Sequence, residues 1–255
     1  MKERGPDAAP HALARLHAAH WNRPTSLPWA SDDGARVART QRLVRGAIEQ
    51  LEARMGDELP ETVARAARLH CEQLPAIRDV EVGAPQTVLH GDPTPRHWVM
   101  GRDGASLVDW QAMGVGSPGR DVARLLSSAL PAVLRISQER RLLAIYCAAL
   151  RCFGVEDYSV NECLADYRRG LLEAAARTVL SAARAQERVG QSAGEVEGGA
   201  ANQLARMELA LVQNEVLRRR ADARPGAGPR GPSSRPAKPA AAPAGSSLRS
   251  SCCAA

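Results

Sequence analysis

Thr87-Val88-Leu89-His90-Gly91-Asp92-Pro93-Thr94-Pro95-Arg96-His97-Trp98-Val99-Met100, then Leu107-Val108-Asp109-Trp110-Gln111, then Gly114-Val115-Gly116-Ser117-Pro118-Gly119-Arg120-Asp121-Val122-Ala123: this stretch decides how the chain is read. Thr87-Val88-Leu89 is a short strand signal. His97-Trp98-Val99-Met100 and Ser106-Leu107-Val108-Asp109 are two more, separated by the turn Gly101-Arg102-Asp103-Gly104. Asp92 follows the first strand in a loop of Gly and Pro, which holds a carboxylate rigidly and leaves it open to a ligand. Asp109 closes the hairpin and returns to the same cleft. Two carboxylates meeting at a strand–loop junction suit a divalent cation, or one base beside one metal ligand. His90 orients the loop or takes part directly. The bland alternative, three ordinary turn residues, fits His90-Gly91-Asp92 taken alone.

Outward from this core the chain reads as helix on both sides. His11 to Trp21 carries apolar residues and histidines at helical spacing until Pro24. Between Asp33 and Met55, Val37, Val44, Ile48, Leu51 and Met55 form one apolar stripe, with Gly56 just past its end. Pro60 opens a helix running to about Leu74. Downstream, a helix spans Asp121 to Leu134, and Ser137 is positioned to cap the next. Ser159-Val160-Asn161-Glu162 is a capping box for a helix reaching about Val189, and a last helix covers roughly Ala200 to Arg220.

Composition bounds the rest. Of 255 residues, 44% are hydrophobic and 24% charged, a globular balance that excludes a wholly disordered chain. The longest apolar run, Leu142 to Leu150, is too short to span a bilayer, and Met1 to Pro6 has no apolar stretch of a signal peptide. A cytoplasmic protein without a membrane partner is the expectation. The net charge of +6 sits mostly in residues 222–255, where five basic side chains face one acidic, leaving +2 for the first 221 residues. That is no basic face, so specific nucleic-acid binding is not expected. Six Pro, four Gly and six Ser mark residues 222–255 as a disordered tail, with residues 1–9 as a leader and 10–221 as the domain. Cys71, Cys147, Cys152 and Cys163 fall in apolar helical patterns and read as buried thiols; Cys252-Cys253-Ala254-Ala255 is a loose C-a-a-X match.

Taken together, H-G-D, the hairpin ending in V-D-W-Q, the glycine-rich turn and the helix-opening D-V-A resemble the aminoglycoside phosphotransferase family. That family belongs to the protein-kinase-like group with choline and ecdysteroid kinases. Leu13-Ala14-Arg15-Leu16-His17-Ala18-Ala19-His20-Trp21 also looks like the helix after the family's interlobe hinge. The resemblance covers about residues 10–190. It implies an α+β fold, mostly α, of the kinase C-terminal-lobe type, and an ATP- and Mg²⁺-dependent transfer of phosphate to a hydroxyl of a small molecule. By position, Asp92 matches the catalytic base, Asp109 the Mg²⁺ ligand, and His90 and Asp121 residues that brace the catalytic loop. Acidic residues beyond Asp121 (Glu139, Glu156, Asp157, Glu162, Asp166) are candidates for meeting a cationic substrate.

Two departures shape the expectation. The family's second metal ligand is an Asn five residues after the base, and here it is His97, an imidazole that prefers softer metals than Mg²⁺. Of 34 basic residues only Lys2 and Lys238 are lysine, and no G-x-G precedes the motif, so no phosphate-binding residues are nominated and the ATP-binding lobe is read as missing. A non-catalytic pseudokinase-like binding protein is the alternative. A metal-dependent hydrolase using His90, Asp92, His97 and Asp109 is a lesser one, which leaves Asp109-Trp110-Gln111 and Asp121-Val122-Ala123 unexplained.

Overall fold

The computed structural model describes residues 7–23, 34–81, 85–101, 104–189 and 197–218. The tail at 222–255, with Cys252 and Cys253, the first six residues, and Arg102 and Asp103 of the hairpin turn lie outside the described residues. Among the described residues seven α-helices and four short strands follow in the order α1 (Ala8–Ala19), α2 (Gly34–Met55), α3 (Glu61–Glu81), β1 (Thr87–Leu89), β2 (Trp98–Gly101), β3 (Gly104–Leu107), β4 (Gly114–Gly116), α4 (Gly119–Ala129), α5 (Ala132–Cys152), α6 (Val160–Val189) and α7 (Glu197–Gln213). This is the mostly helical α+β class expected. Among the described residues no helix is long and apolar enough to cross a membrane.

The long α6 is the central post. Leu171, Leu172, Ala175, Val179, Ala182 and Ala183 on it are all buried, and α2, α3, α4, α5 and α7 pack against it. Helix α4 meets α6 at glycines. A Cβ on Gly170 would stand 2.4 Å from the Gly119 carbonyl oxygen, and one on Gly119 would stand 2.3 Å from the Asp166 backbone carbon. Only hydrogen side chains permit this approach. Ser159 and Glu162 form the expected capping box at the start of α6. The Ser159 amide donates to Glu162 at 2.7 Å, and the Glu162 amide donates to the Ser159 hydroxyl at 3.2 Å.

Several boundaries differ from the sequence reading. The helix expected from Asp121 to Leu134 ends at Ala129. Leu130 is extended (φ −110°, ψ 139°) because it precedes Pro131, whose ring disfavours a helical neighbour and which caps α5 without donating an N–H. Ser137 is therefore no cap. It lies inside α5 with its hydroxyl on the Leu134 carbonyl at 3.1 Å. Helix α1 opens at Ala8, and Asp7 just before it is clasped by Arg141 of α5 at 2.7 and 2.8 Å. Cys147 and Cys163 are buried and Cys71 partly so, but Cys152 is exposed at the last turn of α5.

Strand β4 was read as a turn because Gly114-Val115-Gly116 carries one side chain in three residues. It pairs antiparallel with β1, Thr87 opposite Gly116 and Leu89 opposite Gly114. The hairpin β2–β3 pairs Trp98 with Leu107 and Met100 with Ala105. It begins one residue later than expected and ends before Asp109. His97 closes a single 3₁₀ turn, Pro95–His97, instead of opening the strand.

Candidate active site

Asp121, in the first turn of α4, anchors the loop after β1. Its Oδ2 accepts from the His90 amide at 2.7 Å and its Oδ1 from the Gly91 amide at 2.9 Å. His17 of α1 reaches Oδ2 with Nε2 at 3.4 Å and contacts the Tyr146 hydroxyl with Nδ1 at 2.7 Å. All of these groups are buried, so the carboxylate replaces water for two backbone donors that have no other recourse. Gly91 makes the turn possible. Its φ is +84°, and a Cβ there would fall 2.0 Å from the Ala112 carbonyl oxygen.

His90 is fully committed. Its Nε2 lies 2.9 Å from the Val108 carbonyl oxygen and its Nδ1 3.3 Å from the Asp92 amide, while its ring meets Trp110 edge-on at 4.8 Å. It joins the loop to the end of the hairpin and has no nitrogen left for a ligand. Past the hairpin, Asp109 adopts a left-handed conformation (φ 65°, ψ 68°) that turns its carboxylate back toward the loop. Aspartate tolerates this region better than most residues.

Asp92 and Asp109 converge on His97. Asp92 Oδ2 lies 3.5 Å from His97 Nδ1, and Asp109 Oδ2 lies 3.2 Å from His97 Nε2. His97 Nδ1 also sits 2.6 Å from the Asp92 carbonyl oxygen, and its Nε2 lies 3.0 Å from Arg96 Nε. Asp92 is further held by two arginines. Arg124 Nε donates to Oδ1 at 2.7 Å, and Arg96 Nη2 approaches Oδ2 at 3.3 Å. Burial pushes the Asp92 carboxyl up, but the charge and hydrogen bond of Arg124, with Arg96 and His97, outweigh it and hold the carboxyl below its ordinary value. Burial pulls Arg124 down in turn. A guanidinium starts so high that the pair remains ionic at neutral pH.

Arg124 and Arg96 escaped the sequence reading. Arg124 is one turn beyond Asp121 on the face that also carries the buried Leu125, and its side chain is only 8% exposed. An arginine inside an otherwise apolar helical run was the available signal. The acidic candidates fare differently. Glu139 is buried under Arg135, Tyr167 and Asn214, Asp166 accepts from Tyr158 at 2.8 Å, and Glu162 is the cap of α6. These three serve the fold and do not line the site; Glu156 and Asp157 lie exposed between α5 and α6. A cavity of about 410 Å³ opens between α2 and α3 among Gln41, Arg45, Glu52 and Arg68, and none of the nominated residues lines it.

The donor chemistry tests the implied metal. Asp109 has a carboxylate 38% exposed, which suits one Mg²⁺ that takes its remaining ligands from phosphate and water. The imidazole beside it is the wrong donor for a second. Among the described residues no three His, Cys, Asp or Glu side chains are arranged to hold a metal ion.

The family model for the APH phosphotransferase enzyme family matches residues 4–160, more than half of the chain and all of this loop–hairpin–helix arrangement. The chain belongs to the phosphotransferase enzyme family. Comparison with curated proteins finds no match. Among solved structures the chain is similar to a choline/ethanolamine kinase family protein from Mesorhizobium loti, with a TM-score of 0.51 at 17% identity. That similarity covers 85% of this chain and 64% of the other, so the chain spans less than two thirds of that protein's length. At this identity the likeness is one of fold.

Proposed function

We propose that the chain is an ATP- and Mg²⁺-dependent phosphotransferase acting on a hydroxyl of a small molecule. The observation that carries this reading is the convergence of Asp92 and Asp109 on one point, 3.5 and 3.2 Å from the two nitrogens of His97. Asp92 is the proton acceptor. Its Oδ1 is fixed by buried Arg124, whereas Oδ2 has looser neighbours, Arg96 at 3.3 Å with a side chain 64% exposed and His97 Nδ1 at 3.5 Å. An incoming hydroxyl donates to Oδ2 and passes its proton there as its oxygen attacks phosphorus. A carboxylate of low basicity suffices, because phosphoryl transfer depends chiefly on position and charge and little on strong proton abstraction. Asp109 is the residue to hold Mg²⁺, which when bound neutralises charge on the phosphates. Asp121 and His90 hold the loop so that the two carboxylates keep their spacing.

Transfer of phosphate from Mg-ATP to a panel of small alcohols, with thermal midpoints recorded alongside, tests the proposal. Mg-ATP at millimolar concentration is expected to raise the midpoint, and Asp92→Asn to abolish transfer with the circular dichroism spectrum unchanged. Retained turnover in Asp92→Asn removes Asp92 as the base. The imidazole held between the two carboxylates favours a second reading, a non-catalytic binding protein, and absence of any stabilisation by Mg-ATP would count against the phosphotransferase.

A further inference from the structure

The two arginines that hold Asp92 also line a cavity of about 240 Å³, framed by the loop at residues 94–96 and by α4, α6 and α7. Three arginines line it, Arg96, Arg124 and Arg206, and among the described residues no acidic side chain does. Hydroxyls complete the wall, among them Ser127, Thr178 and Ser181. Two of these groups are built into the fold. Arg124 is buried and fixed by Thr178 at 3.2 Å as well as by Asp92. The Ser127 hydroxyl is buried with no hydrogen-bond partner among the described residues, an arrangement that proteins normally avoid. Arg206, half-buried on α7, makes one long bond to the Ser128 carbonyl at 3.4 Å.

Guanidinium groups on several sides of a small polar cavity recognise a planar or tetrahedral oxyanion through paired N–H donors. A cationic amine would meet guanidinium groups, hydroxyls and the Gln203 amide along this wall, and the neighbouring carboxylate, Asp92, is already bound to Arg124 and Arg96. We propose that this cavity binds the carboxylate or phosphate group of the acceptor, so that the substrate is a small hydroxylated anion and not an amino alcohol. The proposal rests on the phosphotransferase reading for the fate of the hydroxyl, which Arg124 and Arg96 would hold next to Asp92. The anion site itself does not depend on that reading. The volume is below the usual range for drug-sized ligands and suits an anion of a few heavy atoms.

Calorimetric titration of the full chain without nucleotide, in a cationic buffer at low salt, tests it with inorganic phosphate, glycerate, glycerol 3-phosphate and choline. At least one of the three anions is expected to bind, and choline to give no heat. Arg206→Gln should weaken the anion about tenfold, the loss of one charge-assisted pair. Ser127→Ala supplies a second readout should Arg206→Gln fold poorly: it should weaken the anion yet leave the thermal midpoint unchanged or raised, since it removes an unpartnered polar group. Glycerate binding over glycerol 3-phosphate names the carboxylate, and the reverse names the phosphate. Failure of all three anions to bind, equal binding by Arg206→Gln, or binding of choline overturns the proposal. Anion binding without phosphate transfer would leave the site standing and remove the phosphotransferase, whereas Mg-ATP-dependent phosphorylation of choline would do the opposite.

Discussion

Asp121 shows how much of the site hangs on one carboxylate. It accepts from two consecutive backbone amides and faces His17 in a region closed to water. Asp121→Ala strands those donors without replacement, and a stranded buried partner costs about 1–3 kcal/mol. Thermal unfolding should show a stability loss at the upper end of that range, about 3 kcal/mol; a variant as stable as the parent would mean that the loop has another anchor. Asp92, Asp109, His90 and Asp121 could be nominated from sequence because each sits in a short motif with fixed neighbours. Arg124 stands out only as an arginine in an apolar helical run, and its role is hidden because its partner Asp92 is 32 positions away and only the packing of α4 brings them together. His97 was nominated as a position in a pattern, and its contact with both carboxylates is a tertiary fact that no spacing contains.

Helix α4 meets α6 so closely that their glycines decide the distance. Gly170→Ala exposes two opposing effects. Alanine favours a helix over glycine by about 1 kcal/mol. Its methyl would enter the Gly119 carbonyl at 2.4 Å, and overpacking costs about 1–3 kcal/mol. The contact is with backbone, which cannot rotate away, so the second effect prevails. Urea unfolding should show a net loss of about 1 kcal/mol or more, whereas a raised midpoint would mean that the helices have room to separate. The stripe of α2 and the capping box of α6 were readable because helical period and local hydrogen bonds are properties of neighbouring residues. The break at Pro131 was passed over because the apolar period of 121–134 runs straight through it, and β4 was passed over because glycine gives no pattern. In both places the backbone's own restrictions overrode the side-chain rhythm.

Across the whole molecule, charge is balanced where the helices meet. Glu173 of α6 accepts from Arg120 of α4 and Arg177 of its own helix, with His70 of α3 also facing it. Burial pushes its carboxyl up, but these cations prevail and hold it far below the usual carboxylate range. A group that binds its proton less readily folded than unfolded stabilises the fold fully above its unfolded value, about 4.3 for glutamate, and loses that contribution as pH falls through and below it. Thermal midpoints between pH 6 and pH 3 should therefore fall for the parent chain. Glu173→Gln should start lower and fall less steeply, and parallel curves would assign the acid sensitivity to other groups. The pairing of β1 with β4 has a wider consequence. Residues 90–113, with both converging aspartates, form one chain loop tied at its neck by three residue pairs. Asp92 has a second tether outside this loop, because Arg124 of α4 holds its carboxylate and Asp121 of α4 holds the His90 and Gly91 amides. The contacts of Asp109, with His97 and Gln111, lie within the loop, so a local opening of the neck displaces Asp109 before Asp92.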